Sequence, residues 1–182
     1  MMDEREDLRF GVTLATDRHP GQSAAEVLAR TVEVARRAEE LGLDDVWVTE
    51  HHFLDTAVNP SALTLAAYLL AMTETLHVGT AVTVLPLHSP VHTAEQAALL
   101  GQLSGGRFSL GVGRGFPGVE YDVLGPGLAA WRAGLAGPLD RLLGARAARC
   151  PRTRPCVRSA SHLPCTPRQA LRCTWRPAPP RR

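Results

Sequence analysis

Four runs of apolar and β-branched residues punctuate the first 115 positions: 10–16 (FGVTLAT), 45–49 (DVWVT), 77–85 (HVGTAVTVL) and 107–113 (RFSLGVG). Each is short and bounded by polar or glycine residues, the pattern of a buried strand. Between them the period changes to that of a helix. Val27, Leu28, Thr31, Val34, Ala35, Ala38 and Leu41 recur at helical spacing behind Ser23 and Glu26. Those two have capping-box spacing, in which each side chain satisfies the other's free backbone N–H. Gly42 stands where a left-handed C-terminal cap belongs. Asn59-Pro60 predicts the start of a second helix, LTLAAYLLAMT, with proline at the first helical position. That helix is apolar nearly all round, which predicts burial on more than one side. Ser89-Pro90 starts a third helix that ends at Gly105-Gly106. Residues 117–125 read as loop. A weaker amphipathic stretch over 128–143 is interrupted by Gly134, Gly137 and Pro138.

The strands begin near residues 10, 45, 77 and 107. A strand and a helix per repeat of this size is the signature of right-handed β-α-β units with a parallel sheet. A doubly wound sheet and a (β/α)8 barrel both meet that description. Each strand here is followed by one helix with no sign of an order reversal, which favours the barrel. A full barrel takes about 250 residues, and four units are visible. The predicted fold class is therefore α/β, the N-terminal half of a (β/α)8 TIM barrel, and the chain reads as truncated.

Composition divides the 182 residues in two. Overall, the net charge is +2. Residues 1–145 carry ten arginines against all eighteen acids, a balance of −8, while residues 146–182 carry ten arginines and no acid, +10. There is no lysine, and the last 37 residues also hold all four cysteines, half of the prolines and no glycine. The predicted division is a partial barrel domain over 1–145 and a tail over 146–182. With no helix or strand periodicity and few large apolar residues, the tail is expected to be disordered. Its Arg/Pro/Cys composition is also what a shifted frame of GC-rich DNA encodes. The cysteines at 150, 156, 165 and 173 contain no C-x-x-C pair, so they carry no zinc spacing.

No run reaches the roughly 18 apolar residues of a membrane helix, and the acidic start MMDEREDLRF is unlike a secretory signal. The acidity of 1–145 argues against nucleic acid. Its lack of cysteine fits a reducing compartment, so the expected location is cytoplasmic.

Two constellations carry candidate chemistry. Glu50-His51-His52-Phe53 leaves the C-terminal end of the second strand, where β/α barrels place their active sites. On a regular strand Glu50 and His52 share one face and His51 takes the other. An imidazole, with an ordinary pKa of about 6.5, suits proton transfer at neutral pH. Solvated loop residues are the alternative. A metal site recruiting His88 or His92 lacks any His-x-x-x-His on a helix near Glu50, so no metal is expected. Gly111-Val112-Gly113-Arg114-Gly115 leaves the fourth strand. Its glycines could admit an anion and its arginine hold a phosphate, or the glycines could simply serve packing. The G-x-G-x-x-G match at 113–118 follows the fourth strand and opens no predicted helix, so it is not read as a dinucleotide fingerprint.

Taken in order, VWVTEHHF, NP and TETLHVGTAVTVLPLHSPVHTAEQAALLGQLSGGRFSLGVGRG resemble the bacterial luciferase-like family of flavin-dependent monooxygenases, over roughly residues 8–125. The resemblance implies a (β/α)8 barrel that uses reduced FMN and O2 on a small organic substrate, with F420 as the cofactor of one branch. It implies that His51 is the histidine beside the flavin and the peroxide formed on it, transferring a proton or hydrogen bonding, with Glu50 and His52 in support. It places Ala81 and Val82 at a non-prolyl cis peptide against the flavin ring. Arg114 would then contact the flavin phosphate, with Gly115 and Phe116 lining the same pocket. It also implies a homo- or heterodimer through helices two and three, and a flavin reductase as a supplier. Half of the cavity wall lies beyond the four units, so an F420-dependent oxidoreductase, a non-catalytic partner subunit and an inactive fragment are the alternative functions.

Overall fold

The computed structural model describes residues 8–116 and 118–147; the predicted tail lies outside them, apart from residues 146 and 147 at the end of a helix. Four parallel strands build one sheet. β1 (Gly11–Leu14), β2 (Asp45–Val48), β3 (His77–Thr80) and β5 (Phe108–Ser109) lie side by side in chain order. Two further strands, β4 (Thr83–Val84) and β6 (Val112–Gly113), follow the third and fourth and pair with each other, again in parallel. The helices between them are α1 (Ala24–Glu40), α2 (Ala62–Met72) and α3 (Pro90–Leu103). Sequential parallel order without reversal is barrel topology.

The register shows how strand sequence separates two faces. Val12, Val46, Val78 and Phe108 are aligned across the sheet. Their row, continued by Leu14 and Val48, packs into the core with Ala35, Ala38, Leu65, Ala66, Leu69 and Ala97 of the helices. Burial of such apolar surface is worth about 25 cal/mol per Å2 and is the main force joining sheet to helices. The alternate row, Thr13, Trp47, Gly79 and Ser109, faces the other way. Gly79 has no Cβ to spare: one would come within 2.3 Å of the Trp47 ring.

Helix ends follow their local signals with one shift. The Ser23–Glu26 capping box forms with both hydrogen bonds, and Gly42 takes a positive φ of 74° just beyond α1. Of the predicted α1 stripe, Val27, Thr31, Ala35 and Ala38 are buried, whereas Leu28, Val34 and Leu41 flank it and are exposed. The predicted start of α2 at Pro60 moves two residues on. Ser61 is its N-cap, accepting from Thr64 N, and Asn59 Oδ1 accepts from Ser61 N. Proline thus precedes the cap. α3 begins at Pro90 behind Ser89, as its sequence predicts.

The stretch after the fourth strand holds more helix than its sequence predicts. Residues 117–125, read as loop, contain a one-turn helix, α4 (Val119–Val123). The weak amphipathic stretch is two helices, α5 (Gly127–Ala133) and α6 (Ala136–Ala147), parted at Gly134. α6 packs on α3 and runs two residues past the predicted boundary at 145. Among the described residues, no helix is long and apolar enough to cross a membrane.

Candidate active site

The C-terminal ends of β2, β3–β4 and β6 present the predicted residues on one end of the sheet, and Glu50 organises two of those ends. Its side chain is 1% exposed. Oε1 accepts from Val84 N at 3.1 Å and from His88 Nε2 at 2.6 Å, and Oε2 accepts from Ala62 N at 3.1 Å. One carboxylate therefore ties the end of β2 to the first turn of α2 and to β4. Burial pushes the Glu50 carboxyl up. The hydrogen bond and charge of His88, with the two backbone donors, outweigh it and hold the carboxyl below its ordinary value. The His88 imidazole moves the opposite way: the Glu50 hydrogen bond raises its pKa against the effect of burial. His88 follows a short 3-10 turn over Leu85–Leu87.

His51 and His52 diverge. His52 is buried, with Nε2 3.4 Å from Glu50 Oε1. His51 is 32% exposed, and its Nδ1 lies 3.7 Å from Glu120 Oε1. Glu120 comes from α4 and is buried at 6% exposure; the same Oε1 accepts from His52 N at 2.8 Å. So a carboxylate 69 positions away sits behind the partly exposed His51 and is itself held by the backbone of His52. Sequence reasoning misses Glu120 because it falls in a stretch read as loop. Its available signal is one of two acids, with Asp122, in a short stretch after Gly118, too little to single it out.

The peptide between Ala81 and Val82 is cis, at the junction of β3 and β4. Ala81 is exposed and Val82 half-buried. The glycines of the fourth strand lie against this segment. A Cβ on Gly111 would stand 2.0 Å from Thr80 O, and one on Gly113 would stand 2.6 Å from Val82 Cγ2. Close strand packing accounts for both. Gly115 likewise abuts the Val84 side chain, at a positive φ of 67°. Phe116 is 78% exposed.

Arg114 is exposed, and its guanidinium carbon lies 3.8 Å from the centre of the Trp131 ring, which comes from α5. Trp131 Nε1 donates to Gly115 O, and Tyr121 Oη donates to Arg114 O. Side chains from two later helices thus hold the consecutive carbonyls of Arg114 and Gly115. Among the described residues Arg114 forms no ion pair, so its planar donor edge remains available. Burial raises the pKa of Tyr121, with Arg114 opposing and Glu120 adding to the rise. Neither Tyr121 nor Trp131 is a site residue by sequence pattern, since each depends on a chain reversal after β6.

Comparison with known proteins agrees with this architecture. A family profile described as luciferase-like monooxygenase matches residues 8–149. The alkanal monooxygenase alpha chain of Photorhabdus laumondii is 41% identical over 126 residues, 69% of this chain and 35% of that one. The oxygenase component of the flavin-dependent trigonelline monooxygenase of Acinetobacter baylyi is 30% identical over 128 residues, 70% of this chain and 36% of its own. This chain therefore spans about a third of the length of these curated relatives. Among solved structures, apo-MsnO8 superposes with a TM-score of 0.65 at 30% identity, covering 74% of this chain and 41% of that one. With sheet order and a profile spanning residues 8–149 in agreement, the chain belongs to the luciferase-like monooxygenase family.

Proposed function

We propose that this chain provides the first four β-α units of a flavin-dependent monooxygenase site, using reduced FMN and O2 on a small organic substrate. The observation that carries this reading is the grouping at one end of the sheet. A partly exposed histidine backed by Glu120, a small-residue shelf at Ala81-Val82 and an arginine with no ion pair among the described residues all sit there. These residues fit a phosphorylated flavin. The Arg114 fork suits a phosphate dianion, and the Ala81 edge offers an apolar surface to a ring.

When bound, reduced flavin supplies the electrons that activate oxygen. The chain's own residues do the rest. Arg114 would hold the phosphate, pre-oriented by Trp131, with Gly115 and Phe116 beside it. Ala81 and Val82 would support the ring. His51 would exchange a proton through Nε2, since Nδ1 faces Glu120. Glu50 and His52 would position the turn that carries His51, Glu50 through its clamp on Ala62 N and Val84 N. The small-molecule substrate and O2 are the remaining ligands, and a flavin reductase is the proposed source of reduced flavin. The relative from Acinetobacter, named as an oxygenase component, supports that division of labour. A cytoplasmic location and a dimer through α2 and α3 complete the proposal. The exposed Tyr68, Leu99 and Leu103 support the dimer face. We retain 1–145 as the unit that carries these residues.

Anaerobic titration of the purified chain with reduced FMN tests the reading. Binding tighter than about millimolar, worth roughly 4 kcal/mol, is expected, and Arg114→Ala should weaken it at least tenfold. Binding weaker than millimolar, or stronger binding of deazaflavin than of FMN, overturns it.

A further inference from the structure

The tertiary structure assembles a second constellation, distinct from the His51–Glu120 pair. Glu50 Oε1, His52 Nε2 and His88 Nε2 converge, and all three atoms lie within 4.8 Å of one another. We propose that Glu50, His52 and His88 form a binding site for a borderline transition-metal dication, with Zn2+ as the best-matched ion. Two imidazoles and one carboxylate are a common three-ligand zinc set, leaving a fourth position for water.

Four observations support this. First, the separations are near those a metal demands. Zinc bonds of about 2.0–2.1 Å in tetrahedral array set ligand atoms about 3.3 Å apart, and Glu50 to His52 is 3.4 Å. Glu50 to His88 is 2.6 Å, a proton-sharing distance. To take up the ion, His88 must retreat from Glu50 by less than an ångström and the two imidazole nitrogens, within 4.8 Å of one another, must draw toward the tetrahedral spacing; His88 lies at the end of a short turn rather than inside a strand or long helix. Second, the ligands have outer support. Glu50 is fixed by Val84 N and Ala62 N, and such secondary contacts orient ligands and strengthen metal binding. Third, the carboxylate is buried while the His88 side chain is 31% exposed, so the site has a charged floor and an entry path. Fourth, the ligands come from segments on two β-α units, so a bound ion would join the end of β2 to the turn after β4. Sequence raised a metal site with His88 and set it aside for want of a helical His-x-x-x-His; it is the fold that brings positions 50, 52 and 88 together. The inference does not rest on flavin binding, because it uses neither His51 nor Arg114.

The test is calorimetric titration of the full chain, stripped with EDTA, with Zn2+. It is run in wild type and in a background with Cys150, Cys156, Cys165 and Cys173 changed to serine. One Zn2+ per chain is expected in the serine background, with micromolar or tighter Kd. His88→Ala and His52→Ala should each raise Kd at least tenfold, and His92→Ala, an exposed control, should leave it within twofold. Circular dichroism checks folding; if His52→Ala fails to fold, the partly exposed His88 carries the comparison. Co2+ absorption should show nitrogen and oxygen ligation without thiolate bands. Absence of saturable binding in the serine background, or binding that survives His88→Ala, overturns the proposal.

Discussion

Replacing Trp131 by leucine is the sharpest probe of how the phosphate end of the site is prepared. The Arg114 guanidinium lies 3.8 Å from the ring centre, and the ring is fixed by its Nε1 bond to Gly115 O at 3.2 Å. At an exposed position such a cation–π contact is worth about 0.5–1 kcal/mol. Leucine removes the ring face and its hydrogen bond, leaving the arginine to sample its rotamers; side-chain freedom for arginine amounts to about 2 kcal/mol. Only part of that is recovered by a bound phosphate, so the net loss is set at about 1 kcal/mol, roughly fivefold in Kd. The assay is paired titration of reduced FMN and reduced riboflavin, which differ by the phosphate. FMN affinity should fall about fivefold while riboflavin affinity stays within twofold. Trp131→Phe, which keeps a ring but loses the Nε1 donor, should lie between. Equal loss for both ligands would mean that Trp131 holds the ring region or the general fold, and no loss for either would mean that Arg114 needs no positioning. Both results refute the reasoning.

Three further changes address the scaffold. Glu39 Oε1 accepts from the backbone N–H groups of Glu74, Thr75 and Leu76 and from the Thr75 hydroxyl, so one α1 carboxylate closes the loop into β3. Glu39→Ala should cost about 2 kcal/mol, read by urea denaturation. Burial pushes the Glu39 carboxyl up, but these donors dominate and lower its pKa from 4.5. Its contribution is present above that value and fades as pH falls through the lower folded one, so the wild-type advantage should vanish in acid. Gly111→Ala places a methyl 2.0 Å from Thr80 O; backbone cannot yield like a side-chain tip, and a loss of about 3 kcal/mol is expected from thermal melts. Glu120→Ala orphans His52 N and should cost about 1–3 kcal/mol. Glu120→Gln, which keeps an acceptor, should lose clearly less, and equal melting losses would contradict the bond.

Local physics made much of the scaffold readable in advance. Strand runs, the Ser23–Glu26 box and the Gly42 stop each depend on residues within a few positions, so a linear sequence exposes them. Strand order followed from repeat spacing, because parallel crossovers of this length have one favoured hand. The same logic located Glu50, His51 and His52 at a strand's C-terminal end. It failed at the start of α2, where Pro60 looked like the first helical residue but Ser61 had the side chain that could satisfy Thr64 N.

Residue chemistry and short-range pattern were thus settled by sequence, and partnership was settled by the fold. Glu120 reaches His52 across 68 positions, His88 reaches Glu50 across 38, and Trp131 reaches Gly115 across 16. The glycines after β5 left packing and anion binding both open, and only the fold shows that Gly111 and Gly113 abut Thr80 and Val82. The physical reason is common to all of these. A hydrogen bond or ion pair depends on distance and burial in three dimensions, and chain closure over tens of residues sets both only once the hydrophobic rows of the sheet have met their helices.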